Sequence, residues 1–279
     1  GEKFIKYYTE GIELITDFFT YESFKKYFPG RKAKIITSIS MFYDLENPNI
    51  FVSDIKKSLD ENGVWHFEQS YMPAMLRTNS YDTICHEHLE FYSFKVIIDL
   101  LAKHDLKVVD VQTNAVNGGS FAVTAAHVDS TQKENTPIIN WMLKQEERMK
   151  LETEIPFLDF EKKVLQHKED LVELVKNLVA HGKRIAGYGA STKGNVLLHY
   201  CDFSSNEIFC IADVNEDKHG SFTPGTKIPI VSEKVAREFK PDYFLVLPWH
   251  FKHMILEREK DFIQNGGKFI FPLPVIEII

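Results

Sequence analysis

The sequence is short of cysteine, of positive charge and of long apolar runs, and each shortage closes off a class of function. Only three cysteines occur in 279 residues, and Cys85, Cys201 and Cys210 are widely spaced. They make neither a disulfide framework nor a zinc knuckle, so a reducing, cytoplasmic location is expected. Lysine and arginine number 33 against 40 acidic residues, a formal net charge of -7. A nucleic-acid surface needs a basic field, so no nucleic-acid partner is expected. No apolar run approaches the roughly 20 residues of a membrane span, and no signal peptide is recognisable, so no membrane association is expected. The opening Gly1-Glu2-Lys3-Phe4-Ile5-Lys6-Tyr7-Tyr8 lacks Met and reads like the middle of a helix, which leads us to expect sequence upstream. What is present, 44 % hydrophobic and 26 % charged residues, belongs to a globular chain long enough for two domains.

In the first half, Glu2 to Glu10 reads as a short helix ending at Gly11, and Ile12 to Ile15 alternates before a loop at Asp17-Phe18. A helix is expected over Tyr21 to Tyr27, and Lys34 to Ser40 has the β-branched run of a buried parallel strand. Asn47-Pro48 opens a helix from Asn49 to Leu59, and Asn62-Gly63 turns it into the strand Val64 to Glu68. Beyond Ser93 come a helix from Phe94 to His104 and two strands, Leu106 to Gln112 and Ser120 to Ala125. They are joined through Gly118-Gly119, a pair that lets the backbone approach a neighbour closely. The alternation is that of a doubly wound α/β sheet, whose ligands collect at the C-terminal ends of strands.

A polar stretch from Asp129 to Thr136 marks a boundary, after which Pro137 to Glu154 and Pro156 to Ala180 are helical. Their apolar stripes suit packing or dimerisation, so a homodimer is one admissible partner state. Arg184 to Gly189 is a strand entering a glycine turn, followed by a helix to Tyr200 and the strand Glu207 to Asp213. This βαβ unit resembles a dinucleotide fold in which the terminal acid meets a ribose hydroxyl. The glycine spacing departs from the NAD fingerprint, since Thr192 stands where a third glycine belongs. A turn opening a helix still offers N–H groups to a phosphate, with Ser191, Thr192 and Lys193 at hand. Ser232 to Phe239, Tyr243 to Leu247, Phe251 to Gln264 and Lys268 to Phe271 complete a second open sheet, with Pro248-Trp249-His250 at its functional edge.

The densest chemistry lies in Ser80 to Ser93, where Cys85, His86, Glu87 and His88 are consecutive. Such groups are costly to place between a core strand and a helix without a use. Four readings are open: a metal site on His86 and His88, although no third ligand stands at a recognisable spacing; a Cys85–His nucleophile; a purely structural loop; and general acid–base chemistry by a histidine oriented by a glutamate.

The order of motifs resembles the sugar C-methyltransferases that act with S-adenosylmethionine on nucleotide-linked ketosugars. The likeness rests on Gly11-Ile12, Asp17-Phe18-Phe19, Glu68-x-x-Tyr71, Tyr81-Asp82-x-Ile84-x-x-Glu87-His88 and Gly118-Gly119-Ser120. It continues through Gly187-Tyr188-Gly189-Ala190-x-x-Lys193-Gly194-Asn195, Asp213, Pro224-Gly225-Thr226-x-Ile228-Pro229-Ile230 and Leu247-Pro248-Trp249. The resemblance implies an α/β fold: a partial class I, Rossmann-like methyltransferase domain over 1–128, linker helices over 129–180 and a second Rossmann-like domain over 181–279. It implies that His88 removes a proton beside a ketone to give an enolate, that Glu87 orients it, and that Tyr71 or Tyr81 stabilises the enolate oxygen. Asp17, Phe18, Ser38, Ser40, Met41 and Phe42 would face the cofactor. Cys85, His86, Asn117, Gly119, Tyr188, Gly189, Ala190, Lys193, Asn195, Asp213 and Trp249 would face a nucleotide-diphosphate sugar. The family often has Tyr at Cys85 and His at Phe42 and Asn117, so substrate or reaction is expected to differ. Its cysteine-rich zinc module and the first β-α-β of the methyltransferase domain have no counterpart in the sequence. Zinc is therefore not expected, the S-adenosylmethionine site is expected to be incomplete, and this polypeptide alone is expected to bind the cofactor weakly or not at all. The rival functions are a non-catalytic nucleotide-sugar binding module and, on the second sheet, an NAD-dependent oxidoreductase.

Overall fold

The computed structural model describes Ile5 and residues 7–279. The expected helix from Glu2 to Glu10 lies partly outside the described residues, and Tyr8 to Glu10 do not form an α-helix. The chain forms two compact units, each discontinuous in sequence: residues 1–69, 92–114 and 121–145, and residues 70–91, 115–120 and 146–279.

The first unit is built on a four-stranded sheet of order β1-β2-β4-β3. Its strands are β1 (Ala33–Ile39), β2 (Leu59–Ser70), β3 (Leu106–Asn114) and β4 (Ser120–His127). Helix α1 (Tyr21–Tyr27) has the expected bounds, and Thr20 caps it by accepting from the Ser23 N–H. Asn47 caps α2 (Pro48–Ser58) in the same way, with Pro48 in the first turn where its missing N–H costs nothing. Helix α4 (Phe94–Ala102) buries Phe94, Ile97, Leu100 and Leu101. The aromatic core joins Phe42 to Trp65 and Tyr92, with Trp65 and Phe67 stacked at 4.1 Å.

Three expectations change here. Ile12 to Ile15 form no strand. Asn62-Gly63 is not a turn but part of β2, where the pairing jumps from Ala33–Leu59 to Ile35–Val64 and extra residues loop out. Strand β1 is parallel to β2 as expected, yet it is not buried: it is an edge strand with Ile35 69 % exposed, and Ser38 is its one buried residue.

The second unit carries a six-stranded sheet of order β10-β9-β8-β5-β6-β7. The strands are β5 (Ile185–Tyr188), β6 (Ile211–Asp213), β7 (Ile230–Ser232), β8 (Tyr243–Val246), β9 (Lys268–Phe271) and β10 (Glu277–Ile278). The first five are parallel and β10 is antiparallel to β9. Numbered from β5, this is the 3-2-1-4-5 order of a doubly wound sheet, with its switch point between β5 and β8. Gly189 and Pro248 follow those two strands, and a Cβ on Gly189 would stand 2.8 Å from the Pro248 ring. Helix α6 (Ile155–Ala180) buries Leu171 and Val175 against Ile185, Leu245 and Ile270. The opposite face is an aromatic layer of Phe244, Phe269 and Phe271.

Around the sheet run α7 (Thr192–Tyr200), α8 (Glu233–Glu238), α9 (Lys252–Arg258) and α10 (Lys260–Gln264). The single helix expected over Phe251 to Gln264 is thus broken at Glu259, whose backbone leaves helical geometry. Its buried carboxylate accepts from Tyr188, Arg237 and Arg258, and those ties accompany the break. Helix α3 (Met72–Thr78) was not expected, and α5 (Thr136–Met149) precedes α6. No helix among the described residues is long and apolar enough to cross a membrane.

Candidate active site

Residues 80–91 belong to the second unit, and buried anchors set their course. Tyr81, Asp82 and Thr83 form one buried 3-10 turn. The His167 Nε2 meets the Pro272 carbonyl at 2.6 Å, so it carries the ring proton and leaves Nδ1 to accept from the Tyr81 hydroxyl at 3.0 Å. Tyr81 therefore does not fit the role of enolate donor. Its phenol lies in the core with His167, Tyr200 and Cys201, and burial holds its pKa far above the ordinary range. Asp82 is fully buried and accepts from the Trp249 indole N–H at 2.8 Å through Oδ2. Its Oδ1 finds no hydrogen-bond partner among the described residues. Burial raises the Asp82 pKa, and Lys193 and Trp249 pull it back.

These anchors deliver His88 to a pocket lined by Tyr71, Met72, Met75, Asn117, Gly118 and Gly119. His88 is half-buried. Burial lowers its pKa first and the Lys193 charge second, opposed by a hydrogen bond with the Thr83 backbone and by Glu87. Glu87 itself is exposed. Tyr71 is buried and donates to the buried Glu146 carboxylate at 2.8 Å. Burial and that neighbouring charge push its pKa far up, so the phenol stays protonated at every working pH.

The opposite wall is the turn Val116–Gly118, where Asn117 adopts φ 53°. Gly119 has φ 131°, and a Cβ there would come within 2.5 Å of the Ala74 Cβ. Gly119→Ala thus combines backbone strain with a clash, and we expect it to cost about 2–4 kcal/mol, read as a lower denaturation midpoint. A neutral result would show that the wall relaxes freely.

Apart from Asn117 and Gly119, the expected substrate residues do not line the His88 pocket. Cys85, His86 and Asn195 line a separate, open cleft with Thr192, Val196, Tyr200 and Pro224. Lys193 lies in the first turn of α7, and its ammonium donates to the Asn117 carbonyl at 2.8 Å. At the Gly189 turn the donors expected for a phosphate are largely engaged. The Gly189 N–H bonds the Ala212 carbonyl, the Ala190 N–H bonds Asp213 Oδ2 at 2.7 Å, and Ser191 Oγ caps the Gly194 N–H. Asp213 also accepts from the Asn215 N–H and Lys218, so its two oxygens are committed within the chain. Tyr188 points to Glu259, and Trp249 to Asp82.

Of the expected cofactor residues, two are turned inward. Phe42 is buried in the aromatic core, and Ser38 accepts from the Trp65 indole at 2.9 Å. Asp17 accepts from the Phe18 N–H, and the Phe18 side chain is 90 % exposed. Ser40 adopts φ 53°, its N–H donating to the Glu68 carbonyl, and Met41 is half-buried. Ser38 and Phe42 are thus committed to the core, whereas Asp17, Phe18, Ser40 and Met41 remain exposed or half-buried. Among the described residues no three His, Cys, Asp or Glu side chains are grouped to hold a metal ion.

Residues 115–274, which carry the His88 pocket wall and the whole of the doubly wound sheet but β10, match the model of the C-methyltransferase C-terminal domain. The C-methyltransferase NovU of Streptomyces niveus is 34 % identical over 247 residues, 88 % of this chain and 59 % of that protein. The chain belongs to the C-methyltransferase family. It spans just under three-fifths of the length of that relative. Among solved structures, a pericyclic reaction enzyme is similar over 36 % of this chain and 27 % of its own, at 13 % identity and a TM-score of 0.31. An O-methyltransferase from a trans-AT PKS multienzyme of Brevibacillus brevis, in complex with S-adenosyl-L-homocysteine, covers 42 % of this chain and 51 % of its own, at 12 % identity and a TM-score of 0.29. Overlaps this small bear on no residue's role.

The pocket wall and the His88 loop come from distant parts of the chain, yet both fall in one compact unit. Trp249 and Lys193, separated from His88 by more than a hundred positions, were legible as residues of a sheet edge and a helix start, but not as partners of the Tyr81–His88 loop and its neighbouring turn. His250 was expected only as part of the edge after β8, with no role of its own. Its buried Nδ1 has no hydrogen-bond partner among the described residues, and burial with Lys193 nearby lowers its pKa to about 4.

Proposed function

We propose that the chain takes part in C-methylation of a nucleotide-diphosphate ketosugar, with His88 as the base that removes the proton beside the ketone. The observation that carries this is His88 itself: half-buried on a pocket, hydrogen-bonded to the Thr83 backbone, and shifted toward the neutral imidazole. A base must be unprotonated at working pH, and a histidine with a lowered pKa is. The proton goes to the imidazole, and the C–H electron pair moves onto the carbon and the ketone oxygen. S-adenosylmethionine is the methyl donor that the family resemblance implies, and proton removal is the part of the reaction that this chain's own residues account for. Tyr71, protonated and on the same pocket, is the phenol nearest to hand for the developing oxyanion once its bond to Glu146 is exchanged. Glu87, exposed beside the base, acts through its charge. The nucleotide goes to the cleft of Cys85, His86, Asn195 and Tyr200, where an aromatic ring, a proline and polar side chains suit a base and ribose. A cytoplasmic location accompanies this reading.

The test uses a panel of nucleotide-diphosphate ketosugars in D2O, with loss of the proton next to the ketone followed by NMR. Exchange catalysed by the chain supports the proposal without any methyl donor. No catalysed exchange with any ketosugar that binds would sink it. The rate is expected to rise with pH through a midpoint below the ordinary imidazole value of about 6.5 and to be flat above it, because the protonated form is the inactive one. A bell centred above neutrality would point to another base.

A further inference from the structure

Lys193 occupies a place that two independent forces oppose. It is a lysine in the first turn of a helix, next to the positive end of the helix dipole. Its ammonium is also largely withdrawn from water, and burial lowers its pKa. Side chains kept in such places against both costs are held by a local partner, and the partners here surround the His88 pocket. Nζ donates to the Asn117 carbonyl on the pocket wall. Near enough to interact with its charge are Asp82, Cys85 and His88 on the Tyr81–His88 loop and, in the turn after β8, His250. Lys193 is not among the residues that line the pocket.

We propose that Lys193 is a positioning residue, whose ammonium ties the Val116–Gly118 turn to the start of α7 and keeps a positive charge near the base. The inference rests on the reading of His88 as that base. Two jobs follow from one contact. The bond to Asn117 holds the wall opposite His88, and the charge disfavours the imidazolium, so the ring stays ready to accept a proton. Asp82 offsets part of the charge, which is why an aspartate with one unpaired oxygen is tolerated at full burial nearby. Glu87 acts on His88 in the opposite sense to Lys193.

The test is an NMR titration of the histidine ring signals of the full chain, with the His88 signal assigned by its loss in His88→Asn. In Lys193→Gln, which keeps an N–H donor for Asn117 but removes the charge, the His88 midpoint is expected to move to higher pH. In Lys193→Arg, which keeps the charge, it is expected to stay near the wild-type value. A His88 midpoint unchanged in Lys193→Gln, with the other histidine signals in place, reduces Lys193 to a structural tie and overturns the proposal. Should Lys193→Gln fail to fold, Lys193→Met takes its place with the same expected rise of the His88 midpoint, and a wild-type midpoint at or above about 6.5 overturns the proposal by itself. Because the titration reads His88 with no substrate present, it can fail while ketosugar exchange succeeds, or succeed while exchange fails.

Discussion

His88→Asn is expected to slow ketosugar proton exchange by about 10²- to 10⁴-fold, the range that a positioned general base supplies. Binding of the same ketosugar, measured by calorimetry, is expected to change little. Asparagine has nearly the reach of the ring and can keep a hydrogen bond to the Thr83 backbone, so the loop should keep its course while losing a group that accepts a proton. The anchors of that course, Tyr81 on His167 and Asp82 on Trp249, are untouched by the change. His86→Asn is the natural comparison, since His86 lines the other cleft. It is expected to weaken binding and spare the exchange of bound substrate. Equal losses of exchange in both variants would mean that the two histidines work on one group, against the separation of the two cavities.

The second large effect concerns stability. Trp249→Ala removes a buried aromatic side chain, at about 3–5 kcal/mol, and also strips Asp82 of its side-chain hydrogen bond. A buried carboxyl that loses its one side-chain donor adds about 1–3 kcal/mol. For a unit of this size the sum corresponds to a fall of roughly 10 °C or more in thermal midpoint. Trp249→Phe separates the two contributions, because the ring is largely kept while the indole N–H is lost. It is expected to show about 1–3 kcal/mol, smaller at low pH, where Asp82 is protonated. The sign follows from the shift: burial raises the Asp82 pKa, so the carboxyl is already more readily neutralised in the folded chain, and acid lightens the burden of an unpartnered oxygen. A Trp249→Phe variant as stable as the parent at pH 7 would show that the Asp82 bond contributes nothing.

Elements with strong local signals were legible in the sequence. Asn47-Pro48 marked the start of α2, a β-branched run marked β1, and short apolar and aromatic runs marked β8 and β9. Where local signals were weak or tertiary forces won, the sequence misled. Asn62-Gly63 carries turn chemistry yet sits inside β2, because the flanking residues pair with β1 on both sides of the irregularity. The segment Phe251 to Gln264 has helical composition throughout, but the buried ties of Glu259 interrupt it. Short elements such as α3, β7 and β10 are too brief for periodicity to show.

The site was legible in kind but not in assembly. Cys85 and His88 are three residues apart, and a loop that turns between them sends them to different cavities. Tyr81 and Tyr188 look like site donors in one dimension, and their hydroxyls prove to be bonded inside the core. Asp213 stands at the end of its strand, as an acid that meets a ribose should, yet it already answers the Ala190 N–H. An anionic ligand at that turn would have to displace a carboxylate of the chain's own.

The interleaving of the two units has a bearing on how the gene can be cut. The chain passes from one unit to the other after residues 69, 91, 114, 120 and 145. A fragment starting at 129 or 181 would keep Lys193 and Trp249 but lose His88 and Asn117, and its complement would carry the base without its supports. Either cut leaves every lining residue of the pocket on the N-terminal piece and the partners of Asn117 and Asp82 on the other, so swapping the C-terminal part between relatives exchanges the supports of the pocket and not the pocket.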